Sequence, residues 1–144
     1  MMTPQERAEK SAAAMWAGDA ASKHLGMRLD AVGPGRAVLS FTVGPEHLNG
    51  HGICHGGYIF TLADSAFAFA CNSHNRLVVA QQNSITYLSP GREGERLTAE
   101  AVEVSLTGRS GIYDVTVTGG DGRRVALFRG LSRQIDGTHF EEET

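Results

Sequence analysis

Asp64 stands nearly alone in an apolar run. From Tyr58 to Cys71 the only other polar side chains are Thr61, Ser65 and the Tyr58 hydroxyl. An ionised carboxylate in such surroundings is costly unless it is hydrogen-bonded or paired. No Lys or Arg lies between Tyr58 and Ser73 to pair with it locally. Seven residues upstream the run opens on His55-Gly56-Gly57. Two glycines at a helix start would present unpaired backbone N–H groups, carry a partial positive charge, and let a ligand approach closely. Such amides can hold a developing oxyanion, each donor being worth about 2.7–4 kcal/mol. A carboxylate base or nucleophile opposite carbonyl-polarising amides is the equipment for hydrolysing an activated acyl group. The structural alternatives are a ligand-free turn at Gly56-Gly57 and an acid capped by the Thr61 or Ser65 hydroxyl.

Neighbouring residues could add to this chemistry. Asn49 could orient a water or a carbonyl, or serve as a turn residue. His55 could fix the turn or touch substrate. His47, His51 and His55 are spaced by four, which suggests metal ligands only on a helix. Asn49, Gly50 and Gly52 disfavour a helix there, so no metal is expected. Cys54 beside His55 has no evident third group to orient a thiol nucleophile.

The elements that must position these groups follow from the pattern. The run after Gly57 is long, rich in Ala and Phe and free of Pro, which predicts a helix. On it Thr61, Asp64 and Ser65 fall at i, i+3 and i+4 and share one face. Ile59, Leu62, Ala66 and Phe69 form an apolar stripe, widened by Phe60, Ala63, Phe67 and Ala70. A helix apolar on so many sides belongs inside a protein. Gly57 and Asp64 are two turns apart, about 10 Å along the axis, too far for one small carbonyl to touch both. If they act on the same atom, they come from different copies of the chain, as antiparallel central helices in a two-fold dimer would allow.

The remaining chain reads as a sheet around that helix. Residues 1–22 form an N-terminal segment whose helix runs from about Pro4 to Ala21, with Thr3 as N-cap and Glu6 completing a capping box. Met27–Val32 and Ala37–Val43 make a hairpin about Gly33-Pro34-Gly35. After the central helix come strands at Leu77–Leu88, Arg96–Leu106, Gly111–Thr118 and Arg124–Ile135, with a turn at Gly119–Gly122. Residues 141–144 are expected to be an acidic, frayed tail. The fold class is α+β: one domain, an antiparallel sheet wrapped around one long helix that is itself the cover the sheet needs.

Composition narrows the function. The chain has 144 residues, 13 Lys and Arg against 16 Asp and Glu, and two cysteines. No basic patch suggests nucleic acid, and no apolar stretch is long enough to cross a membrane. No secretory signal is visible, and two cysteines are too few for a disulfide framework, so a cytoplasmic setting is expected.

At Asn49, His55-Gly56-Gly57 and Leu62-Ala63-Asp64 the sequence resembles hotdog-fold acyl-CoA thioesterases, specifically the PaaI group of phenylacetate degradation. Phe67–Ser73, Tyr113-Asp114 and Val125–Gly130 extend the resemblance over nearly everything beyond the N-terminal helix. It implies homodimers with shared active sites, assembled into homotetramers. It also implies a coenzyme A thioester substrate of the hydroxyphenylacetyl type, and neither metal nor cofactor. By the same resemblance, the Gly56-Gly57 amides polarise the carbonyl, Asp64 of the partner attacks it or activates water, and His55 and Asn49 line the site. Thr61 and Ser65 are candidate substrate contacts. Coenzyme A phosphates call for cations, for which Arg129, Arg92 and Arg109 are candidates. Two rival readings are an acyl-thioester dehydratase using His55 and Asp64, and a non-catalytic acyl-CoA sensor. The sensor would need an output domain that fewer than thirty residues before the first strand do not supply.

Overall fold

The computed structural model describes residues 1–143. Helix α1 (Pro4–Gly18) starts at Thr3, whose Oγ1 accepts the Glu6 N–H at 3.1 Å. It stops earlier than the sequence pattern suggests. Asp19 breaks it and caps a separate short helix, α2 (Ala20–His24), by accepting the Ser22 N–H at 2.9 Å. An Asp after a Gly competes for backbone hydrogen bonds and ends one helix by starting the next.

Six strands follow around one long helix. They are β1 (Arg28–Gly33), β2 (Arg36–Thr42), β3 (Val78–Tyr87), β4 (Arg96–Thr107), β5 (Ser110–Thr118) and β6 (Arg124–Gln134). All pairings are antiparallel, in the order β1-β2-β4-β5-β6-β3. Helix α3 (Gly56–Cys71) packs against one face of this sheet. The expected α+β architecture is therefore present. The chain order does not reveal that β3 pairs with β6 at the sheet edge, since β4 leaves β3 and joins β2 instead.

The core is where period-2 strands meet the apolar helix. Ala37, Leu39 and Phe41 of β2 point inward with Leu97, Ala99 and Ala101 of β4, and Tyr113, Val115 and Val117 of β5. From α3 they receive Ile59, Leu62, Ala63, Ala66, Phe67 and Ala70. Full burial of each large side chain contributes about 1.5–3 kcal/mol. Phe67 sets the closest approach. A Cβ on Gly130 would lie 2.7 Å from its ring, so β6 can pass there only with glycine.

Two local readings change. The pattern put Val79, Gln81 and Asn83 on one face of β3. A bulge between Ala80 and Gln82 inverts the alternation, so Val78 joins the core while Val79 is exposed. The acidic tail is tied down rather than frayed at Glu142, which pairs with Arg7 at 2.6 Å and accepts from Asn75 Nδ2 at 3.0 Å. Thr144 of that predicted tail lies outside the described residues. Among the described residues no helix is long and apolar enough to cross a membrane.

Candidate active site

The start of α3 is held by side chains on both flanks. His55 is its N-cap, and the His55 Nδ1 accepts the Gly57 N–H at 2.9 Å. In the neutral ring this leaves the proton on Nε2. The Tyr58 and Ile59 amides both turn back to the His55 carbonyl, at 3.0 and 3.5 Å. Gly56 N–H is left without a protein partner among the described residues. Of the two expected glycine donors, Gly56 is thus the one whose amide is free, and Gly57 is occupied within its own turn.

Asp64 sits two turns on, half-buried. Asn83 Nδ2 on β3 donates to Asp64 Oδ1 at 3.1 Å. No cation pairs with the carboxylate among the described residues. Burial raises its pKa above the ordinary carboxylate range, and the Asn83 hydrogen bond partly offsets that rise. A carboxylate so placed is a stronger base than a solvated one.

The three polar residues expected on one helix face part company. Thr61 Oγ1 donates back to the Gly57 carbonyl at 2.8 Å. Ser65 Oγ lies 2.9 Å from Ser22 Oγ, which donates to Asp19 at 2.7 Å. Successive helical residues are about 100° apart, which turns Asp64 toward β3 and Ser65 toward α2. Ser65 therefore braces the N-terminal helices and does not share Asp64's surroundings.

The loop before α3 is built by its own polar groups. Asn49 Oδ1 accepts from the His51 and Ile53 amides at 2.9 and 3.4 Å, which closes a turn. Buried His47 accepts the Gly44 N–H at 2.8 Å and packs edge-on against Phe41 and Tyr58. The described residues contain no metal-binding group of three His, Cys, Asp or Glu side chains. Burial pushes the Cys54 thiol up to about 11 and Cys71 to about 12, so neither supplies a ready thiolate.

Arg129 lies elsewhere. Its neighbour Phe128 points into the core, so the Arg129 side chain is on the outer sheet face, bidentate to Asp114 at 2.7 and 2.9 Å. Arg109 reaches Asp136 at 3.4 Å beside a cleft of about 1170 Å³ past the C-terminal end of α3, lined also by Cys71, Tyr113 and Ser132. Arg92 is exposed near the β3–β4 connection.

Two site residues were absent from the sequence candidates: Asn83, and Tyr87, whose Oη donates to the Gly56 carbonyl at 2.8 Å. A signal existed. Four strand residues rise about 13 Å and the eight helical residues from Gly56 to Asp64 rise about 12 Å. A strand running antiparallel to the helix can therefore match one polar group to each end.

Comparison with known proteins places this geometry in a family. Residues 51–126 match the model of the thioesterase superfamily. The chain is 43% identical over 132 residues to the acyl-coenzyme A thioesterase PaaI of Escherichia coli, covering 92% of this chain and 94% of that one. The solved E. coli PaaI structure superposes with a TM-score of 0.93 at 42% identity, covering 94% of this chain and 99% of that one. A Streptococcus mutans protein solved bound to acetyl-CoA matches with a TM-score of 0.75 at 28% identity, over 78% of this chain and 90% of that one. With the central helix and the Gly56-to-Asp64 segment inside the residues matched by the family model, and E. coli PaaI alike over nearly the whole chain, the chain belongs to the thioesterase superfamily.

Proposed function

We propose that the protein hydrolyses acyl- or aryl-coenzyme A thioesters to the free acid and coenzyme A. In this reading the Gly56 N–H polarises the thioester carbonyl, and Asp64 of a second copy attacks it or activates water. The observation that carries the reading is the pairing of a half-buried carboxylate lacking a cation with an unpartnered amide at the start of the same helix. The likeness to E. coli PaaI, a protein of the phenylacetic acid degradation operon, supports the substrate class, and our reading includes acyl groups of the hydroxyphenylacetyl type.

A shared site is supported by distance. Gly56 and Asp64 of one chain are about 12 Å apart. Edge strand β3 lies along α3 and, among the described residues, pairs with β6 alone. A second copy pairing antiparallel on that edge would bring one helix start alongside the other's mid-helix acid. Assembly of two such dimers into a tetramer belongs to the same reading. The reading also includes a cytoplasmic setting, supported by two free, buried cysteines.

The test is a panel of aryl, short-chain and long-chain acyl-CoA thioesters with free-thiol detection. Release of coenzyme A from at least one class, lost in Asp64→Asn, is the expected result. Double-bond change without thiol release would favour a dehydratase, and binding without turnover a sensor.

A further inference from the structure

Tyr87 has no place in the mechanism so far, yet it touches the proposed oxyanion donor. Its Oη donates to the Gly56 carbonyl at 2.8 Å. Its ring lies over the Gly56 Cα: a Cβ added there would meet the ring and hydroxyl at 3.0–3.3 Å. The same peptide unit is held at its other end, where the Gly57 N–H reaches His55 Nδ1 at 2.9 Å. A Gly-Gly dipeptide is the most conformationally free start a helix can have. Here both polar ends of the peptide joining the two glycines are tied, one by a residue from a distant strand.

We propose that Tyr87 is a positioning residue that clamps the Gly56–Gly57 peptide so that the adjacent Gly56 N–H stays aimed at the thioester oxygen. This rests on the reading of Gly56 as oxyanion donor. Electrostatic stabilisation of an oxyanion depends on donors fixed before reaction begins, because reorienting them during it costs what they would contribute. Glycine cannot fix itself. The ring also fills the space beside position 56, so a side chain there would have to displace it. Burial raises the phenol pKa, which keeps the hydroxyl a donor across the working pH range.

The experiment removes the hydroxyl and keeps the ring. Tyr87→Phe is expected to lower kcat about fivefold, the worth of one ordinary hydrogen bond, with KM little changed. A structural role alone would not alter the bound carbonyl, so the deciding readout is infrared difference spectroscopy. An acyl-CoA thioester is bound to Asp64→Asn protein, in which turnover is expected to be at least about a hundredfold slower, with and without Tyr87→Phe. The expected result is a carbonyl stretch lowered on binding to Asp64→Asn and lowered less when Tyr87→Phe is added. An equal lowering in both proteins overturns the role of Tyr87 while leaving Gly56 as donor. No lowering in Asp64→Asn overturns the donor assignment, and the clamp with it.

Discussion

Asn83 holds Asp64 by a single amide hydrogen bond, Nδ2 to Oδ1 at 3.1 Å, and leaves its own Oδ1 buried without a partner among the described residues. An unsatisfied buried acceptor costs about 1–3 kcal/mol. That cost persists beside the one carboxylate of the central helix. Asn83 is on an edge strand where an apolar β-branched residue would serve the fold better.

Asn83→Val removes that unpartnered acceptor but also the one side-chain hydrogen bond on the Asp64 carboxylate, so it should leave the melting temperature at neutral pH little changed while slowing turnover. The hydrogen bond lowers the Asp64 pKa, and only the ionised carboxylate can act as base or nucleophile. Its removal should move the acid limb of the kcat/KM–pH profile to higher pH. A profile measured from pH 4 to 8 beside thermal denaturation checks both, and an unmoved limb would count against the pairing.

Asp64→Asn should lower turnover by at least about a hundredfold without unfolding the protein. Its stability has a predictable sign. The folded-state pKa of Asp64 lies above the unfolded value, so the folded protein prefers the protonated acid. Wild type loses stability as pH rises from the unfolded pKa through the folded one, and the amide variant does not. Asp64→Asn should thus melt higher than wild type at neutral pH, with the gap closing in acid. Chemical or thermal denaturation at the two pH values decides it.

If each site draws Gly56 from one copy and Asp64 from another, two inactive variants should complement. Asp64→Asn and Gly56→Ala, unfolded together and refolded, should recover up to about one quarter of wild-type activity: half the dimers are hybrids, each with one intact site of two. Mixtures as inactive as their parents would argue for sites within one chain.

Arg129→Ala should leave KM for coenzyme A thioesters unchanged, because the guanidinium is engaged by Asp114 on the outer sheet face. An exposed pair of this kind contributes about 0–1 kcal/mol, so the melting temperature should barely move. A several-fold rise in KM would return Arg129 to the substrate.

Much of the architecture was legible in the residues. Alternation at Ala37, Leu39 and Phe41 marked a strand with one buried face, and the Pro-free run after Gly57 marked the central helix. These are local signals, because side-chain period is a property of a single element. The same holds for Asp64, conspicuous through its apolar neighbours, and for the Gly56-Gly57 turn.

What the residues could not decide depended on which elements meet. Thr61, Asp64 and Ser65 are close on a helical wheel, but their partners come from the same helix, from β3 and from α2 in turn. The tertiary fold brought Asn83 and Tyr87 to the two ends of the Gly56–Asp64 segment. It also turned Arg129 outward. The physical reason is that spacing along a chain sets the direction of a side chain only within its own element. The hydrogen bonds that tune a carboxylate or aim an amide come from residues far along the chain, and only packing brings them into hydrogen-bonding distance.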